Sequence, residues 1–170
     1  MSSTHIPDYK ERYFEYKTLT RIVGRPTIDK LLTIYKQLKR NAQTVPTTLG
    51  GGQLGYLALI LKQITYAAIP GAAAFIRPTD PGPFTIVPNP TPPATRTNPN
   101  PVPVPLTHTD VTTQRANWEE RRRIYNEVQA VELALRNLLI EAIEPVYLTP
   151  LRDSTTDMIV HSIPDITQFL

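Results

Sequence analysis

Between residues 109 and 144 apolar side chains recur at spacings of three, four and seven: Trp118, Tyr125, Val128, Val131, Leu135, Leu138, Leu139 and Ala142. This is one face of a 3.6-residue period. The stretch holds no proline and no glycine, and its pattern predicts one long helix over about 110–144. Glu119, Arg122, Arg123, Asn126, Arg136 and Asn137 fill much of the remaining surface. Thr109 or Asp110 is placed to cap the start. At 1.5 Å per residue such a helix spans roughly 50 Å. One small domain needs less, so part of the apolar stripe is expected to meet a second subunit.

Residues 27–44 predict a shorter helix. Thr27 stands as N-cap, and Ile28, Leu31, Leu32, Tyr35 and Leu38 make its apolar face. Asp29 lies in the first turn, and Lys36, Lys39 and Arg40 lie towards the end, where cations complement the helix dipole. These cations read first as a solvated helix end and second as a phosphate-binding patch. Val45-Pro46 stops the helix, and a glycine-rich run, Leu49 to Gly55, follows. It lacks the lysine, the hydroxyl and the preceding strand of a phosphate loop, so it reads as a close-packed turn. Residues 54–69 are apolar on nearly every side, which predicts buried helices over about 53–61 and 63–69.

Residues 78–105 contain eleven prolines. Proline breaks helix and sheet alike, so an extended, mostly polyproline II segment is expected over 78–108. Phe84, Ile86, Val87, Val102, Val104 and Leu106 make it greasier than a plain spacer. Two readings stand: a loop between helices, or an arm lying along a neighbouring subunit. Residues 1–25 also read as an arm. There Tyr9, Tyr13, Phe14 and Tyr16 are interleaved with Arg12, Lys17 and Arg21 and with acidic residues that nearly cancel them. Its rings either cover the chain's own core or a neighbour's, or stack on nucleic-acid bases. Beyond the long helix, Pro145 permits a restart. Ser154 with Asp157 resembles a capping box opening a helix through Met158, Ile159 and Ile163. A last short turn carries Phe169 and Leu170, an apolar end expected to dock or to touch a second subunit.

Composition adds mainly exclusions. The 170 residues suit one domain with an extension. The net charge is +3, a mildly basic balance that allows weak attraction to nucleic acid without identifying a binder. The absence of cysteine removes disulfides, thiolate zinc sites and cysteine nucleophiles. His5, His108 and His161 have no metal-ligand spacing, and no nucleophile elbow is present. No enzyme, metal, cofactor or small-molecule substrate is therefore expected. The apolar run from Leu54 to Ala74 is broken by Lys62, Gln63 and Pro70, which argues against membrane insertion. With no signal peptide in view, the chain is expected in the cytoplasm or within a virus-like particle, and an extracellular filament stays open.

Several stretches in order carry a resemblance. They are Ile22-Val23-Gly24 with Pro26, then Val45-Pro46, Leu49-Gly50-Gly51-Gly52, Gly55 and Leu57. Tyr66-Ala67, Phe75, Arg77-Pro78 and Pro81-Gly82-Pro83 come next. On the long helix they are Glu127-Val128-Gln129, Val131-Glu132 and Ala134-Leu135, and beyond it Tyr147-Leu148, Leu151-Arg152-Asp153, Thr155-Thr156, Ile159 and Ile166. Together they resemble the N-terminal Gag-like region of copia-type retrotransposon polyproteins of algae, diatoms and oomycetes. The likeness covers most of residues 20–170. It implies an all-helical capsid-like protein that self-associates around nucleic acid and carries no catalytic residue. The proline tract is longer here than in such relatives, and the cysteine–histidine knuckle of some of them is missing.

The sequence thus predicts an all-α protein. Its parts are an N-terminal extended arm (1–25), a first helical part of the core (26–77), a proline-rich extended insertion (78–108), and a long helix with C-terminal helices (109–170). The expected function is self-assembly into a shell, tube or filament. Tyr9, Tyr13, Phe14, Tyr16, Phe84, Ile86, Val102, Val104, Trp118, Phe169 and Leu170 are the candidate subunit contacts. The alternative is a nucleic-acid-binding module that uses Arg12, Lys17, Lys36, Lys39, Arg40, Arg121, Arg122 and Arg123 to hold RNA or DNA weakly.

Overall fold

The computed structural model describes residues 8–95, 97–98 and 101–170. The chain is all-α. Its helices are α1 (Tyr9–Tyr13), α2 (Ile28–Thr44), α3 (Gln63–Ala67), α4 (His108–Ala142), α5 (Pro145–Leu148) and α6 (Ile163–Phe169), with short 3-10 turns at Leu49–Gly51, Leu57–Leu59 and Thr149–Leu151. Among the described residues the only strand-like pairing outside them is a bridge of Ile22 to Ile143. Two compact units result, one of residues 1–77 with 127–170 and one of 78–126. The boundary falls within α4, where the sequence pattern had placed the whole long helix in a single segment.

The first unit holds the main core. Ile34, Leu38 and Ala42 of α2 meet Val128, Val131, Leu135, Leu138 and Leu139 of α4, with Leu148, Ile163 and Ile166 closing the cluster. Each valine, leucine or isoleucine among them, fully buried, contributes about 1.5–3 kcal/mol of transfer free energy. The stripe read on the long helix from Val128 to Ala142 is the buried one. On α2 the buried face turns instead through Ile34, Leu38, Asn41 and Ala42, leaving Ile28 and Leu32 exposed.

Residues 53–61 do not form the expected helix. Gly52 and Gly55 take left-handed backbone conformations, φ +76° and +55°, and only a 3-10 turn fits before Lys62 becomes extended. A Cβ on Gly55 would stand 2.5 Å from the Ala42 carbonyl oxygen. That close approach lets the Tyr56 N–H donate to the same oxygen at 2.8 Å, satisfying a carbonyl at the end of α2. Tyr56 and Ile60 are buried, whereas Ile64 on α3 faces solvent.

The caps also differ from the sequence expectation. Helix α4 starts at His108, two residues before Asp110. Thr107 Oγ1 accepts from the Asp110 N–H, and the Asp110 carboxylate accepts from the Thr107 N–H at 2.8 Å, a reciprocal box. Ser162 does the same for α6 with the Asp165 N–H. No helix opens at Ser154. Asp153 there accepts from the N–H groups of Thr155 and Thr156 and closes a turn.

Candidate interaction surfaces

The N-terminal segment is partly helical and packs on its own unit, where an extended arm was expected. Asn41, fully buried on α2, clasps it: the Tyr16 N–H donates to Asn41 Oδ1, and Asn41 Nδ2 donates to the Tyr16 carbonyl, both at 2.8 Å. Gln37 accepts from the Thr20 N–H one turn away at 2.9 Å. An extended strand without a neighbour has backbone groups to satisfy, and these amides supply the partners. The clasp sends Phe14 into the core, 3% exposed, which removes it as a subunit contact. Tyr9, Tyr13 and Tyr16 lie against the same core, with Tyr9 and Tyr13 stacked at 6.0 Å. Residues 1–7, and His5 with them, lie outside the described residues.

In the second unit Gln114 of α4 repeats the device. It accepts from the Val87 N–H and donates to the Val87 carbonyl, each at 2.8 Å. Trp118 Nε1 donates to the Gly82 carbonyl at 3.0 Å, and Phe84 meets the indole edge-on at 5.8 Å. Phe84 and Trp118 therefore pair with each other. Ile86, Val102 and Val104 of the same unit stay exposed. The guanidinium of Arg115 lies over Phe84 at 4.6 Å and that of Arg122 over Trp118 at 5.1 Å, a cation–π ladder.

The other candidate cations do not converge. Arg40 is bound to Glu15 at 2.7 Å, and that charge-assisted bond raises its already high pKa. Lys17 donates to the carbonyls of Lys10 and Glu11. Arg12 and Lys39 lie over the rings of Tyr13 and Tyr35, and Arg123 pairs with Glu120 at 2.9 Å. Lys36 and Arg121 are exposed.

An open apolar groove of about 340 Å³ runs between α2 and α6. Leu31, Leu32 and Tyr35 form one wall, Pro164, Thr167 and Leu170 the other, and Ile60 and Leu139 lie among its lining residues. Leu170 packs on the core while Phe169 beside it remains 49% exposed. Of the apolar surface read from sequence, the C-terminal pair thus divides between core and solvent.

Sequence reasoning missed the buried polar groups. Glu132 on α4 is 4% exposed and forms a two-pronged pair with Arg77, while Arg136 stands 3.8 Å away. The Tyr56 hydroxyl donates to Glu127 Oε1 at 2.7 Å. Burial pushes the Tyr56 phenol pKa up, and Glu127 adds to the shift. Glu132 lies between Val131 and Leu135 in the apolar stripe, and that position was the available signal.

Among the described residues no group of acidic or histidine side chains is arranged to hold a metal ion, and no described helix is long and apolar enough to cross a membrane. Compared with protein-family models, curated proteins and solved structures, the chain matches none.

Proposed function

We propose that this chain is a structural protein of the Gag-like, capsid-like kind, whose copies assemble into a shell, tube or filament. The observation that carries the reading is the apolar surface left uncovered. Ile28, Leu32, Ile64 and Phe169 are exposed in the first unit, the first two beside an open groove. Ile86, Val87, Val102 and Val104 are exposed in the second. Single exposed aliphatics are ordinary, but grouped ones beside an apolar groove mark an association site. The reading uses no catalytic group, metal or cofactor, and it places the chain in the cytoplasm or in a virus-like particle. Size-exclusion chromatography with light scattering, followed by negative-stain microscopy, tests it. Oligomers or particles at tens of micromolar are expected, and a clean monomer overturns it.

The Arg115–Phe84–Trp118–Arg122 ladder favours a second role in holding RNA or DNA. Stacking holds these guanidinium groups in place while leaving N–H donors for phosphate. Binding would weaken steeply with salt, and salt-insensitive or absent retention of a single-stranded oligonucleotide removes this reading.

A further inference from the structure

The flank of α2 beside its buried face is built like a helix–helix seam, with Tyr35 at its inner edge packed against the core. Ile28, Leu32, Tyr35 and Lys39 follow one another at spacings of four, three and four. At about 100° per residue they form a stripe roughly 60° wide. Ile28 is 77% and Leu32 50% exposed. Tyr35 and Leu31 border the groove on one flank of this stripe. Asp29 and Lys36 lie on the other flank, two turns apart and both exposed. Among the described residues neither has an ion-pair partner within the chain.

We infer that α2 pairs with α2 of a second copy, antiparallel, about a two-fold axis between Leu32 and Thr33. This rests on the self-assembly reading and names its contact surface. Antiparallel pairing about that point sets Asp29 of each copy opposite the partner's Lys36, giving two opposite-charge contacts by symmetry. In a parallel pair the two-fold axis would run along the helices, so the two charged flanks would lie on opposite sides of the seam and Asp29 would not reach Lys36. In the antiparallel pair the axis stands perpendicular to the plane of both helices, and the charged flank of one copy meets the charged flank of the other. The groove flanks then meet on the opposite side. There the partner's Ile28 packs against Tyr35 at the groove mouth.

Asp29→Lys and Lys36→Asp test the pairing by sedimentation velocity on the full chain. Each change alone creates two like-charge contacts and is expected to weaken association at least about tenfold, an effect that shrinks in high salt. An equimolar mixture of the two variants, and the double variant D29K/K36D, each restore opposite-charge contacts and are expected to recover association. Leu32→Gln, a neutral change at an exposed site, is expected to weaken association without rescue, and it carries the test if a charge variant fails to fold. If the wild type assembles and the single variants assemble equally well, this pairing is wrong and self-assembly stands. If the singles weaken association but the mixture does not restore it, the antiparallel register is wrong. A wild type that stays monomeric overturns both.

Discussion

Asn41→Ala should release the N-terminal segment from the first unit. The side chain makes two hydrogen bonds of 2.8 Å to the backbone of Tyr16, from a position with no solvent exposure. Each is worth about 1 kcal/mol net. Truncation also strands one N–H and one C=O, at a further 1–3 kcal/mol or so each where water cannot reach them. Tyr16 is half-buried, so water recovers part of that second cost, and the sum comes to about 2–4 kcal/mol. With a urea dependence of roughly 1–3 kcal/mol per molar, the unfolding midpoint should fall by about 1–2 M. Far-ultraviolet circular dichroism is the suitable probe, because the single tryptophan, Trp118, belongs to the other unit. Trypsin should also cut at Arg12 and Lys17 sooner in the variant. An unfolding free energy within about 0.5 kcal/mol of the wild type would refute the idea that this amide holds the segment in place.

Other outcomes follow from the same geometry. Gly55→Ala places a Cβ 2.5 Å from the Ala42 oxygen and 2.9 Å from Gln43 Cα, in a left-handed conformation; a loss of about 2–4 kcal/mol is expected, read as a melting temperature lowered by roughly 5–15 °C. Arg77→Ala leaves Glu132 buried with only Arg136 near it. The half-exposed arginine puts the expected cost at about 2–3 kcal/mol, below that of breaking a fully buried pair, and adding Glu132→Leu should recover part of it in a double-mutant cycle. Asp110 and Asp153 have pKa values below the ordinary 3.8 because N–H groups donate to their carboxylates, and Glu120 lies below the ordinary 4.5 because Arg123 binds it. A depressed folded-state pKa gives stability that is present above the ordinary value and lost as pH falls through the folded one. Urea midpoints should therefore be flat near neutrality and drop below about pH 4, less steeply in Asp153→Asn.

The long helix was legible because its period runs unbroken by proline or glycine, and from Val128 to Ala142 the face it predicted is the buried one. Periodicity could not say where the burial stops, since Trp118 and Tyr125 keep the period while belonging to another unit. On α2 the most hydrophobic stripe and the buried stripe are rotated from each other, because the core selects Asn41 for its two backbone bonds over Ile28 and Leu32. The capping pattern was readable in kind and misplaced in position. Thr107, Ser154 and Ser162 each have an aspartate three residues on, and only the first and last open helices. At Ser154 the preceding Asp153 captures the N–H groups first. The exposed valines of the proline tract were readable. The pairing of Phe84 with Trp118 was not, since it depends on a tertiary bond to the Gly82 carbonyl.

The stretch Val102-Pro103-Val104-Pro105 has a further consequence for how this chain survives at high concentration. Exposed, uncharged, β-branched segments are ordinarily the ones that template amyloid, because each new strand zips its amides onto the last. Here every second residue has no amide hydrogen to offer. The segment can therefore stay adhesive through its side chains and still be unable to seed a fibril, as a gatekeeper residue would ensure in a shorter sequence.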